Sequence, residues 1–320
     1  MPTNDIPMAS TGLMEQMNFI IAKHMNELTH EDREKLYFDL HGVPNHIEET
    51  EELIRDSLDS MHLEVKAINK DMREAYDLAE SINTEYVNSP TFRLCFLRGE
   101  RFDARQAALK VVKYFEAKKE LFGVSKITKH ITQEDLDKND LEELFSGRFQ
   151  ILPIKDPAGR AIIQCFPSPE SFRVDLKMVS SLPIFLSDCF TTTNLTFSDD
   201  QLRVMFYLRT IALRDNECQK NGIVNLIMAE NINGFNQDFF KKFSISDMQT
   251  RTKGMMKMVE SLPGKTIAEH ICYDQTNTLG CYLFSTILKF VLIAFSSFIK
   301  VRTKIHTGEG NIYSESILIC

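Results

Sequence analysis

The 320 residues are 43% apolar and 26% charged, the proportions of a globular chain long enough for one large domain and an accessory one. The net charge of −8 is unevenly spread: residues 1–90 hold 19 acids against 7 bases, and the remainder holds 26 acids against 30 bases. That balance argues against nucleic acid as a partner of the front third and leaves a weakly basic body able to approach an anionic membrane surface.

In chain order, Met1–Ser10 has neither a basic start nor an apolar run, so no secretory leader is expected there. Residues 13–90 read as helical. Met14, Met17, Phe19, Ile20 and Ile21 open an apolar face, Thr29 to Asp32 resembles a capping box, and Gly42 with Pro44 stops the segment. A long charged helix or helix pair follows from Glu48 to Glu85, with Leu53, Ile54, Leu58, Met61, Val65 and Ile68 on one side. The acidic run at Glu48–Glu52 suits a helix start; a protein-docking surface on these helices is the alternative.

Thr91–Gly123 reads as a short apolar helix, a turn at Gly99, and a second helix capped by Asp103. Ala107, Leu109, Val111, Val112, Tyr114 and Phe115 supply its apolar stripe. Thr132 to Asp135 is expected to cap another helix that Gly147 ends. The pattern then changes to two short apolar runs, 149–154 and 161–166, flanking the turn sequence Lys155-Asp156-Pro157-Ala158-Gly159-Arg160, which predicts a hairpin.

Helices then alternate with buried strands. Gln201–Cys218, Asp247–Glu260 and Cys281–Ile299 are expected helices. Gly222–Met228, Thr266–Cys272 and Val301–His306 are expected strands. This order predicts an α/β fold, a helical N-terminal region followed by a mostly parallel sheet flanked by helices.

Catalytic patterns are not expected to operate. Gly264-Lys265-Thr266 resembles the end of a phosphate loop, but Val259 stands where that loop needs glycine. No Gly-x-Ser-x-Gly elbow or His-Glu-x-x-His helix occurs, and the eight histidines are scattered. The seven cysteines include no C-x-x-C pair and read as reduced, mostly buried thiols of a cytosolic protein. No catalytic residue, metal site or cofactor is expected, and the chain is read as not an enzyme.

The lead-in with Phe96-Leu97-Arg98 and Phe102-Asp103 resembles that of the CRAL-TRIO lipid-binding family, to which phosphatidylinositol and tocopherol transfer proteins belong. The family's Asp-x-x-Gly-Arg turn is matched by Asp156, Gly159 and Arg160. Leu262-Pro263, a strand with Ile267-x-x-His270, an apolar helix and Lys304-Ile305-His306-x-Gly308 resemble its lid region. The resemblance covers residues 91–308. It implies an acidic helical extension (1–90), a helical lead-in (91–147), a CRAL-TRIO-like lipid-binding domain (148–308) and a tail (309–320). Three departures stand out. Cys95 replaces the first arginine of Arg-Phe-Leu-Arg, and Pro263-Gly264 replaces the Pro-Glu of some members. Residues 307–320 lack the family's closing Leu-Pro and Tyr-Gly-Gly, so the domain is expected to be cut short.

On this resemblance, a lipophilic molecule or phospholipid is the expected ligand, held in an apolar pocket beneath the helix at 281–299. Helical spacing puts Phe284, Ile287, Leu288, Val291 and Phe295 on the lid's inner stripe. Strand alternation puts Ile267, Glu269 and Ile271 on the floor, with Ile163 and Cys165, and Ile223, Asn225 and Ile227, on neighbouring strands; each of these is also compatible with plain core. Lys304 matches the lysine that phosphoinositide-binding members use for the headgroup. A cytoplasmic protein that touches membranes transiently is implied.

Two other readings remain open. One is a protein-interaction adaptor with a vestigial pocket and its N-terminal helices as the working surface. The other is a tail-anchored membrane protein, because Leu279–Ile299 has about the length of a span. Against an anchor, Lys289 lies near the segment's centre, where a charge costs about 2.5–3.5 kcal/mol on insertion scales. Ser285, Thr286, Ser296 and Ser297 dilute it further.

Overall fold

A computed structural model describes residues 6–41, 47–166, 198–229, 245–274 and 278–308. Helices α1 (Ile6–Glu27) and α2 (His30–Leu40) are separated at Thr29, whose Oγ1 accepts the Asp32 N–H at 3.1 Å and so starts the second helix. The expected stop at Gly42 and Pro44 lies outside the described residues. The stretch expected as one long charged helix or a pair is divided further, into α3 (Glu51–Ala67), α4 (Glu74–Ile82) and α5 (Thr84–Val87). Ile68 takes extended backbone angles, and the Asn69 side chain accepts the Asp71 N–H, which opens a short 3-10 turn between α3 and α4.

Then come α6 (Pro90–Gly99), α7 (Ala104–Phe122) and α8 (Lys138–Phe145). Asp103 caps α7 as its position predicts, accepting from Gln106 N at 3.0 Å. The Thr132 capping box opens only a 3-10 turn, because Asp137, two residues beyond the turn's end, supplies α8 with its own box. Met61, Val65, Tyr76 and Val87 pack with Phe96, Val111 and Phe115 in one apolar core, so the packing has no seam at residue 90.

The hairpin is β1 (Phe149–Lys155) and β2 (Ala161–Cys165), antiparallel, with Phe149 opposite Cys165. The helix expected over 201–218 is broken into α9 (Asp199–Ala212) and α10 (Asn216–Asn221), because Asp215 caps the second piece through Glu217 N. Strand β3 (Ile223–Ala229), helix α11 (Ile245–Ser261), strand β4 (Thr266–Asp274), helices α12 (Thr278–Ala294) and α13 (Ser297–Lys300), and strand β5 (Thr303–Gly308) complete the described elements. The expected helix over 281–299 therefore ends at Ala294, where Ser296 accepts from Ile299 N and caps α13.

The sheet is mixed, with β1 antiparallel to β2 and β2 to β5 parallel, in the spatial order β1-β2-β3-β4-β5. Right-handed crossovers between parallel strands laid down in sequence order carry every connecting helix to the same face. The packing agrees: α9, α11 and α12 all meet the face that carries Cys165, Ile227 and Ile271. Val224, Leu226, Met228, Ala268 and Cys272 are buried on the other face, where the described partners are Leu40 of α2, Leu152 and Phe166.

On that second face His270 and His306 stack with ring centres 5.1 Å apart, and Nδ1 of His270 meets Nε2 of His306 at 2.9 Å. One neutral ring donates to the other, and once both rings are protonated neither nitrogen can accept, so the hydrogen bond is lost. Burial first, then His306 and Lys304, push His270 down to about 4. In the unfolded chain the same imidazole takes up a proton near about pH 6.5. Its contribution is therefore fully present at pH 7 and is lost as pH falls from about 6.5 to about 4, by roughly 3 kcal/mol. Thermal melts over that range should show a steeper loss in the wild type than in His270→Phe; parallel curves would contradict this assignment.

Candidate functional site

The register lays the expected floor residues in rows across three strands. Ile163 faces Asn225 and Asn225 faces Glu269; one step on, Cys165 faces Ile227 and Ile227 faces Ile271. A central strand roofed by helices is normally closed to solvent along its whole covered side. Here Ile223 and Ala229 at its ends are buried, but Asn225 and Ile227 between them keep accessible surface, as does Cys165 beside them. The partly buried Met205 and Tyr207 of α9 border the same small core as Cys165, and the partly buried Met255 of α11 and Val291 of α12 border the same core as Ile227. The described side chains thus leave a partly covered patch, at most a shallow hollow, in the middle of this face, whereas Ile223 packs in solid core with Ala212, Leu213 and Cys218.

The bottom of the hollow is polar. Arg209 of α9 donates to Asn225 Oδ1 at 3.1 Å and to Thr266 Oγ1 at 3.2 Å. Asn225 in turn donates to Glu269 Oε2 at 2.7 Å. Burial raises the Glu269 carboxyl, and the Asn225 hydrogen bond and the Arg209 charge offset this only in part. Burial lowers Arg209 to about 10, and the Cys165 thiol is pushed up to about 12 by burial and then by Glu269. These shifts describe a site poor in water but equipped with a donor and an acceptor.

Of the expected lid stripe, Phe284, Ile287, Leu288 and Phe295 are buried against Ile271, Tyr273 and Met256, while Val291 is half-buried. Tyr273 meets Phe284 edge-on at 5.1 Å. The stripe thus rests on the sheet beside the hollow, and Phe295 lies just past the end of α12. Helix α1 lies against α12 through Met14 and Met17, with Lys289 Nζ donating to Gln16 Oε1 at 2.5 Å. Among the described residues no helix is long and apolar enough to cross a membrane.

Two expected site residues lie elsewhere. Lys304 pairs with His270 in the β4–β5 register, so strand alternation turns it to the opposite face from Glu269 and Ile271, and it is exposed. A register shift at Ile223 and Val224 skips Ile267, which instead lines a cleft of about 260 Å³ at the amino ends of the strands.

That cleft is strongly charged. Arg98, Arg101, Arg160, Lys220 and Lys265 line it against Asp39, Glu49 and Glu217. Asp39 of α2 is 6% exposed and accepts from Arg101 at 2.5 Å, Arg302 at 2.6 Å and Lys265 at 2.7 Å. Burial acts to raise its carboxyl, but Lys265, Arg101 and Arg302 outweigh burial and hold it below the ordinary value. Arg101 and Phe102 have φ of 53° and 61°, a left-handed pair that costs non-glycine residues about 1–2 kcal/mol each. This turn aims Arg101 at Asp39. Gly99 fixes the distance, because a Cβ there would sit 2.9 Å from the Gly264 backbone nitrogen. The Asp156–Arg160 turn closes on itself through Asp156 Oδ1 and Arg160 N at 2.8 Å, and Arg160 also donates to the Asp39 carbonyl at 2.6 Å.

Arg209, Asp39, Arg101, Lys265 and Arg302 are absent from the sequence-based set. Arg209 left one signal, a cation inside an otherwise apolar helical stretch. Asp39 left none, since its partners lie 62, 226 and 263 residues away.

No family model matches the chain, and no curated protein matches it.

Replacing Glu269 with leucine removes the carboxylate that faces the buried Arg209 charge and the partner of Asn225. We expect Glu269→Leu to lose about 3 kcal/mol in urea unfolding and Glu269→Gln, which retains the Asn225 bond, to lose clearly less. Equal losses would show that the charge at this position is immaterial.

Proposed function

We propose that the chain is a non-enzymatic, CRAL-TRIO-like carrier or sensor of one small lipophilic molecule or phospholipid. The observation that carries this reading is the half-buried patch Cys165, Asn225 and Ile227 in the middle of a helix-covered sheet face. Apolar walls there can hold an alkyl chain, each buried methylene contributing about 0.8 kcal/mol. Asn225 and Glu269 at the bottom suit a hydroxyl or ester oxygen, which an apolar cavity alone would leave unpaired.

Helix α12 serves as the gate in this reading. With Phe284, Ile287 and Leu288 against the sheet, it is in a closed position. Opening in water exposes those side chains at a cost that a lipid surface removes, so exchange takes place during transient contact with a membrane on the cytoplasmic side. The headgroup contact assigned to Lys304 passes to Arg101, Lys265 and Arg302. Adjacent residues join the two regions: Thr266 bonds to Arg209 beneath the hollow, and Ile267 lines the charged cleft.

Ile227→Trp places a large side chain in the hollow and tests the reading. A fluorescent phospholipid should transfer from vesicles to the wild type, and the variant should take up about tenfold less with its melting temperature nearly unchanged. If the space is solid core instead, overpacking costs about 1–3 kcal/mol and the melting temperature falls by several degrees. That fall, or undiminished uptake, would overturn the assignment.

A further inference from the structure

The three cations around Asp39 come from three separate places in the body: Arg101 after α6, Lys265 before β4 and Arg302 before β5. Their one shared carboxylate comes from outside it, on α2. The charge is therefore unbalanced within the cluster, and Nε of Arg302 is buried without a hydrogen-bond partner. The cluster has donor capacity that one carboxylate leaves unused. A phosphate group, with more oxygens and more charge, matches it better.

Apart from Asp39 itself, the element that supplies the carboxylate is lightly held. In α2 only Leu36 and Asp39 are buried, and among the described side chains of α1 only Met17 is. Segments with so few buried contacts open at low free energy while the core stays folded. Yet the same two helices touch both parts of the proposed carrier. Asp39 fills the cation cluster, and α1 lies on the gate through Met14, Met17 and the Gln16–Lys289 hydrogen bond. His24 adds a 3.2 Å contact to Ser297 of α13. Release of one helix therefore loosens the hold on the other, since Thr29 joins them directly.

We propose that α1 and α2 form an autoinhibitory latch, in which Asp39 acts as a built-in stand-in for an anionic headgroup and α1 keeps α12 shut until a negatively charged membrane takes Asp39's place. The proposal rests on the carrier reading for its purpose, though its physical content is the release of α1 and α2. Neutral phosphatidylcholine membranes leave the latch closed because each phosphate there is paired with its own choline cation and the surface carries no net negative potential. Anionic ones supply many phosphate or carboxylate oxygens at high local density, beside a body whose net charge beyond residue 90 is positive.

Hydrogen–deuterium exchange on the full chain reads the latch directly. Peptides covering α1, α2 and α12 should exchange about tenfold faster with phosphatidylcholine vesicles containing phosphatidylserine than with phosphatidylcholine alone, while α7 peptides stay protected. Asp39→Asn should produce the same local opening without vesicles. Should that variant fail to fold, Met17→Asp releases the latch from its other end and must open α2 as well as α12. No change in α1 and α2 with anionic vesicles, or exchange that rises equally in α7, overturns the proposal. Opening by inorganic phosphate at matched ionic strength overturns the membrane as trigger. Lipid uptake measured on the same samples separates the two claims. Opening without uptake in any variant contradicts the carrier and not the latch. Normal uptake with unchanged exchange in Asp39→Asn contradicts the latch alone.

Discussion

Four parallel strands laid side by side in sequence order constrain everything else in this molecule. Each crossover between them turns the same way, so α9, α11 and α12 crowd onto one face. Their cover is least complete over the centre of β3, where alternation presents the half-buried Asn225 and Ile227. The second face receives none of these helices, and Leu40 of α2 is among the described residues that cover it. The N-terminal helices thus wrap the β5 edge, with Asn18, Ile21 and Met25 of α1 forming a groove with Thr303 to His306. An edge strand so flanked is shielded from pairing with other chains.

Two of the places where charge is buried differ in kind. Beneath the hollow, Arg209, Asn225, Thr266 and Glu269 form a chain of neutral and charged partners whose members all belong to the sheet domain. Its cost is met locally, by partners that are all fixed on the sheet and on α9. Around Asp39 the balance depends on a helix from the far end of the chain, and removing that helix leaves Arg101, Lys265 and Arg302 without their shared acid. A fixed polar floor suits ligand orientation; a removable counter-ion suits control.

Local signals made the elements legible in the sequence and left the long-range ones hidden. Asp103, Thr29 and the Asp156–Arg160 turn act through residues within a few positions, and each stands where its pattern says. Apolar runs located β2 to β5, and alternation along β3 and β4 grouped Asn225, Ile227, Glu269 and Ile271 correctly on one face. Helix ends were missed where a second cap lies inside a longer helical stretch, in a polar run at Asp215 and in an apolar one at Ser296. Ile267 was misplaced because a register shift is a property of the pair of strands, not of either one. Lys304 was carried over from a resemblance, and the phase of β5 against β4 puts it on the other side. The Asp39 cluster could not be read at all, since nothing in residues 30–40 distinguishes that acid from its solvated neighbours.

The account stands or falls on whether the space above β3 holds a ligand. Native mass spectrometry of the full chain, purified gently and then exposed to a cellular lipid extract, measures this most directly. The account predicts a one-to-one adduct of lipid mass that Ile227→Trp abolishes. A spectrum showing only the bare chain, before and after exposure, would contradict it.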